Sequence, residues 1–299
     1  MPAADVIQDL ATWGPANSQP VSQAEAERYC RRLARTHYEN FPVVSWLLPR
    51  RLHQHFYNLY AFCRWADDLG DETGDPGRSV ELLNWWQAEL DRCYSGEVAH
   101  PVFVALKPTI ERFQIPQQPF SDLISAFLQD QQIRRYETFE QLQDYCRRSA
   151  DPVGRIVLHL GECFDEGNVE LSDSICSGLQ LANFWQDVSR DYDIGRVYLP
   201  AEDRERFGID DDALAARKTT PAFRELMRFE VDRAREFLLA GAPLVMRVPG
   251  RLKLDIRLFI AGGMSILQAI ERIDYRVWEQ RPTISKSGLF LQLFKRLPR

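Results

Sequence analysis

The chain has 299 residues, 45% of them hydrophobic, with a formal net charge of −6 and a pI near 5.5. That length builds one large domain or two smaller ones, and the acidic balance argues against nucleic acid, whose binding needs a basic footprint. No run approaches the roughly 18 apolar residues of a membrane-spanning helix. The first residues carry Asp5 and Asp9 instead of a basic start and an apolar run, so no secretory signal is expected. Six cysteines lie apart, with no CxxC pair, and read as reduced thiols of a cytoplasmic protein.

In chain order, Ser22-Gln23-Ala24-Glu25 has the form of a capping box and predicts a helix to about His37. A second helical run follows Pro49 and carries Asp67-Asp68-Leu69-Gly70-Asp71 shortly before a stop at Gly74-Asp75-Pro76-Gly77. Ser79 opens a third helix through Trp85 and Trp86. Thr138-Phe139-Glu140-Gln141 is another capping box, leading to a short helix around Tyr145. Asp151-Pro152 reads as an N-cap followed by proline at the first helical position. Ser172 or Asp173 opens a long helix that carries Asn183 to Asp191 and stops at Gly195. Thr220-Pro221 opens a charged helix ending at Gly241, and another spans about 251–278. Alternating β-branched runs are missing, so strands are not expected. No linker or repeat divides the sequence, and the irregular stretch 195–220 is a weak boundary. One all-α domain over 1–299 is expected, with 1–20 as an N-terminal arm and 281–299 as a basic apolar tail.

The chemistry is concentrated in two acidic clusters. Asp67 and Asp71 stand four residues apart, and Gln180, Asn183, Asp187 and Asp191 follow i, i+3, i+7, i+11 spacing, which places each set on one helix stripe. Like charges so spaced cost roughly 0.2–0.5 kcal/mol per pair. Acids at a helix C-terminus cost about 0.3–1 kcal/mol more, and Gly70 adds ~1 kcal/mol against alanine. The second cluster is interleaved with Leu181, Ala182, Phe184, Trp185 and Val188, so its helix is expected to be buried on most sides. Buried carboxylates require partners or a metal. All-oxygen ligation suits Mg²⁺, which takes one or two protein carboxylates and completes its shell with water and phosphate. The competing structural reading is a pair of solvated acidic turns neutralised by Arg64 and Arg190.

The segment from Tyr60 to Glu72 resembles the first aspartate-rich motif of the squalene/phytoene synthase family, and Gln180 to Asp191 with Gly195-Arg196-Val197-Tyr198-Leu199-Pro200 resembles the second. The resemblance covers roughly 25–280. It implies an all-α isoprenoid-synthase fold, a helical bundle around a central cavity, with Mg²⁺ as cofactor and an isoprenoid diphosphate as substrate. By matching positions, Asp67, Asp71, Asn183, Asp187 and Asp191 are implied to hold Mg²⁺ and diphosphate. Arg64, Tyr60, Tyr145 and Gln180 are implied to contact substrate. Family members that condense two allylic diphosphates have a Ser-Lys-(Ser/Thr)-Phe segment near the N-terminus; here Glu39 stands where the lysine would be. His37 to Val43 and Tyr145 to Arg155 resemble the bacterial hydroxysqualene synthase branch of the hopanoid pathway, in which one diphosphate leaves and water captures the cation. The alternatives are a head-to-head synthase making squalene, presqualene diphosphate or phytoene, and a non-catalytic relative acting as an assembly protein.

Smaller signals carry two readings each. Phe62, Trp65, Phe184 and Trp185 are core packing or the π-faces of a cation-stabilising wall. Asp151 is an N-cap or a water-activating base. His53 and His55 point to different helix faces, which disfavours zinc. His159, in an apolar run, reads as a satisfied core histidine. The acid-free tail from Arg281 to Arg299 suits an anionic membrane surface, packing on the body, or disorder. A peripheral position at the inner membrane face and transient handover with neighbouring pathway enzymes follow from the first of these.

Overall fold

The computed structural model describes residues 6–16, 19–36, 49–250 and 252–283. The described chain is all-α, as expected. Its one β-type contact is an isolated parallel bridge between Arg135 and Val197. Two compact units emerge, residues 1–132 with 156–163 and residues 133–155 with 164–299, and the irregular stretch 195–220 falls inside the second.

In the first unit, α2 (Gln23–Thr36) and α5 (Pro101–Phe113) pack on α3 (His53–Asp71), which also meets α4 (Pro76–Ser95) and α6 (Gln118–Asp130). The Ser22 box forms: the Ser22 amide donates to Glu25 at 3.1 Å and the Glu25 amide to Ser22 Oγ at 3.4 Å. Within the N-terminal arm, residues 6–13 form a further helix, α1 (Val6–Trp13). It is tied inward by Trp65 Nε1 donating to Tyr29 Oη (2.9 Å) and Tyr29 Oη donating to Asp9 (2.7 Å). Phe62, Trp65, Trp86, Phe103 and Phe120 are fully buried around His100 and form the core of this unit.

The third helix starts earlier than Ser79. Asp75 caps it, accepting from the Gly77 amide at 2.9 Å, and Pro76 occupies the first turn. Ser79 instead donates to the Gly70 carbonyl at 3.0 Å, where Gln131 also donates at 3.1 Å. These two side chains satisfy an orphan carbonyl at the end of α3, directly under the acidic cluster.

In the second unit, α9 (Glu166–Asp193) is flanked by α7 (Phe139–Ser149), α12 (Pro221–Gly241) and α14 (Leu252–Arg272). It begins at Asp165, which accepts from the Asn168 amide at 2.8 Å, seven residues ahead of the expected Ser172 start. Ser172 lies inside the helix against Gly154. Small residues set the packing distance. A Cβ at Gly178 would stand 2.9 Å from Leu238, and one at Gly263 would stand 2.9 Å from Leu179 and Leu238. Gly263 therefore marks close helix packing. Thr220 caps α12 as expected. The last helix ends at Arg272, six residues early, because Asp274 and Tyr275 take positive φ, a conformation that no helix continues through.

Candidate active site

In the first unit, Tyr60, Arg64, Asp67 and Asp71 share one face of α3 by their spacing. Arg64 is already engaged. It reaches Asp68 through Nη2 at 2.5 Å and Nε at 3.0 Å, and Asp67 at 3.6 Å. Asp68 is the buried member of the cluster, while Asp71 is exposed. Burial and then the Asp71 carboxylate one turn on push the Asp67 carboxyl up to about 6, against the pull of Arg64. The Asp67 side chain keeps 46% exposure, so water tempers the burial contribution and the like charge counts for more. Burial raises the Tyr60 hydroxyl above its ordinary range.

In the second unit, Gln180, Asn183, Asp187 and Asp191 all lie on α9, but not along an unbroken helix. Asp187 sits at φ −107°, ψ 15°, so the helical run is interrupted at the central acid of the stripe. There Arg281 donates to both carboxylate oxygens, Nε to Oδ1 at 2.6 Å and Nη2 to Oδ2 at 3.0 Å. Gln186 next door donates to the Pro282 carbonyl at 2.7 Å. Arg190, the partner named from sequence, is 3.9 Å from Asp187 and largely exposed. The apolar burial expected around the stripe is present: Leu181, Ala182, Phe184, Trp185 and Val188 are all buried, with Asn183 exposed.

After α9, Gly195 turns the chain at φ +79°, a conformation glycine takes without a Cβ penalty. Arg134 holds the turn by donating to the Ile194 carbonyl at 3.0 Å, and the Val197 amide donates to the Arg134 carbonyl at 2.7 Å. The segment so anchored places Tyr198 flat on Phe184, ring centres 3.8 Å apart at 11°, with Tyr145 and Tyr136 around them. Tyr145 is buried in this aromatic group. Behind it, α10 (Ala201–Arg206) is fixed by Arg233, which donates to Asp203 at 2.7 and 3.2 Å and to the fully buried Glu230 at 2.9 Å. Burial pushes the Glu230 carboxyl up to about 8.

Asp151 corrects an expectation. It is the first residue of α8 (Asp151–Leu160), yet its carboxyl does not cap that helix; it accepts from Ser177 Oγ on α9 at 2.9 Å. Phe62 and Trp65 belong to the buried core of the first unit, and His55 bonds Thr109 Oγ1 at 2.9 Å. Glu39 lies outside the described residues, as do residues 284–299 of the tail. Sequence reasoning missed the pairing of Arg281 with Asp187 because Arg281 was counted with the tail. Its place at the head of an acid-free segment was the available signal.

Among the described residues, no three His, Cys, Asp or Glu side chains converge as a self-sufficient metal cage. The donor set nevertheless fits Mg²⁺, which binds through one or two carboxylates and fills its shell with water and phosphate oxygens. Asp67 beside Asp71 supplies such a pair, and burial, then the Asp71 charge, raises the Asp67 carboxyl, both of which a cation would offset.

The described helices thus include two with aspartate-rich ends, each beside an arginine. This chain belongs to the squalene/phytoene synthase family, whose model matches residues 34–288. It is therefore an enzyme of a family of head-to-head prenyl synthases, whose members typically use Mg²⁺ with isoprenoid diphosphates. It is 34% identical over 248 residues to a hydroxysqualene synthase of Rhodopseudomonas palustris, covering 81% of this chain and 83% of that one. It is 30% identical over 280 residues to a phytoene synthase of Arthrospira platensis, covering 89% and 91%. The crystal structure of squalene synthase HpnC from Alicyclobacillus acidocaldarius superposes with a TM-score of 0.81 at 46% identity, covering 86% of this chain and 97% of that one. A dehydrosqualene synthase structure shares the fold at a TM-score of 0.82 and 24% identity. No helix of the described residues is long and apolar enough to cross a membrane.

Proposed function

We propose that the chain is a Mg²⁺-dependent hydroxysqualene synthase that converts presqualene diphosphate and water to hydroxysqualene and diphosphate. The observation that carries the reading is the pair of acidic helix ends, each with an arginine already bound to its carboxylates. Relatives named hydroxysqualene synthase support the choice within the family, as does Glu39, an acid unsuited to a second diphosphate.

In this reading Asp67 and Asp71 hold Mg²⁺ at the first cluster, and Asn183, Asp187 and Asp191 hold it at the second. The metal, when bound, stabilises charge on the departing diphosphate. Arg64 gives up part of its hold on Asp67 and Asp68 to donate to that diphosphate. Tyr60, Tyr145 and Gln180 contact and orient the substrate. Breaking the C–O bond leaves a cyclopropylcarbinyl cation, and the rings of Phe184, Tyr198 and Tyr145 offer their faces to the charge as it migrates. Ring opening and water addition complete the turnover. The chain acts in the cytoplasm, with its tail serving as a contact for the inner membrane face, where a C30 product is handed to the next enzyme.

A second reading rests on the phytoene synthase relatives: joining of two prenyl diphosphates head to head. Purified protein given presqualene diphosphate and, separately, farnesyl or geranylgeranyl diphosphate decides between them. Alcohol from presqualene diphosphate is expected. A C30 or C40 hydrocarbon skeleton built from the shorter substrates without a partner enzyme overturns the first reading. No product from either substrate, with Asp187→Ala indistinguishable from wild type, returns the chain to an assembly role.

A further inference from the structure

A small cavity lies within the second unit, beside the acidic stripe. Its walls come from α9, from the 196–199 segment that follows it, from Leu214 and from Trp278. The walls close in enough that the free space at the centre admits about one water molecule. Asp191 belongs both to this lining and to the stripe.

Two of the lining residues are tryptophans whose indole nitrogens, Trp185 Nε1 and Trp278 Nε1, are buried and have no hydrogen-bond partner. Trp185 is wholly buried and Trp278 is 9% exposed. An indole N–H only donates, and leaving such a group unmet costs about 1–3 kcal/mol. Buried donors are nearly always satisfied, so two unmet ones on residues that line a single small cavity call for an acceptor. An apolar guest would leave both unmet. A water molecule accepts from the two indoles and donates to the Asp191 carboxylate, which gives the usual complement of about three bonds for a buried water.

We infer that this cavity binds one water molecule between Trp185, Trp278 and Asp191, and that this water supplies the hydroxyl oxygen of the product. The second half of the inference rests on the hydroxysqualene synthase reading above. In the step, the substrate C–O bond breaks with its electron pair leaving on diphosphate. The water oxygen then gives a lone pair to the rearranged cation and forms the new C–O bond. One water proton passes to the released diphosphate, a base freed in the same turnover. Bulk water refills the site, and no oxidant or reductant is needed.

The inference separates into a binding test and a product test. A high-resolution crystal structure of the wild-type protein should show one ordered water within hydrogen-bond distance of both indole nitrogens; a dry cavity overturns the site. Trp278→Phe and Trp185→Phe remove one donor each, while Val188→Ile keeps both indoles and narrows the cavity by a methyl group. Circular dichroism and thermal melting select the variants that fold. With presqualene diphosphate in ¹⁸O water, the folded variants should give at least a threefold smaller share of labelled alcohol and a matching gain in the elimination hydrocarbon. An unchanged partition in folded variants overturns the role of the water. If the wild-type protein itself makes no alcohol from presqualene diphosphate, the functional reading fails, and the crystal structure alone then judges the water site.

Discussion

Replacing Asp151 by asparagine should abolish the pH dependence of stability that this residue imposes. The carboxyl is 2% exposed and accepts from Ser177 Oγ at 2.9 Å. Burial, and then the charge of Asp173, push it up to about 7 from an ordinary 3.8, with Ser177, Arg155 and Arg147 pulling the other way. The neighbouring thiols of Cys146 and Cys176 are raised by burial and stay neutral. Between pH 4 and 7 the folded chain thus holds a proton on Asp151 that the unfolded chain has released. Stability falls as pH rises through that window, and the loss is complete above about 7. Three pKa units correspond to a ceiling on the order of 4 kcal/mol. Asparagine keeps the shape, accepts from Ser177 through its Oδ1, and has no proton to lose. Urea unfolding of both proteins from pH 4.5 to 8.5 is the assay. The difference between them cancels background titration, including that of Glu230, whose carboxyl is also raised. The variant should be no more stable than wild type at pH 4.5 and more stable by roughly 1–4 kcal/mol at pH 8.5. Curves that run parallel across the range refute the argument.

Other perturbations test the remaining contacts. A Cβ at Gly241 would collide with Ile175 and the Leu171 carbonyl oxygen, so Gly241→Ala should cost about 1–3 kcal/mol, read as a fall in melting temperature of about 2–10 °C. Arg233→Met leaves Asp203 and Glu230 buried without their cation; a loss of about 3–5 kcal/mol is expected, partly restored by adding Glu230→Gln. Asp71→Asn, at an exposed position, should leave stability within about 0.5 kcal/mol. It should slow diphosphate release from presqualene diphosphate on the order of 100-fold and reduce the thermal shift produced by Mg²⁺ with inorganic diphosphate.

What was legible in the sequence follows a physical pattern. Helices whose first turn is satisfied by their own neighbours were placed well, because the signal is local: Ser22 with Glu25, and Thr220 before Pro221, start α2 and α12 as expected. Starts were misplaced where two candidate caps compete. Asp75 displaces Ser79, and Asp165 displaces Ser172, because an aspartate ahead of the serine already holds the first amides. The serines so displaced serve the tertiary structure, Ser79 donating to the Gly70 carbonyl and Ser172 packing against Gly154. No one-dimensional pattern distinguishes a capping hydroxyl from a packing one.

The site was legible to the same depth. Four-residue spacing put Asp67 with Asp71 and aligned Gln180, Asn183, Asp187 and Asp191 on one helix, since periodicity is a property of the backbone alone. It carried no information on the cations. Arg190, three residues from Asp187, was the natural partner by spacing, yet it is mostly exposed while Arg281, ninety-four positions away in sequence, takes both carboxylate oxygens. The planar guanidinium explains the preference: a bidentate match needs an approach in the plane of the carboxylate, and a residue three positions away on the same helix has little freedom to make it. The break of helical geometry falls at the same residue. An acid held in two-point contact by a distant arginine, at the residue where α9 departs from helical dihedrals, is positioned by tertiary structure and not by its own helix. The acidic stripe is thus a pattern written in sequence whose central member is placed by the fold.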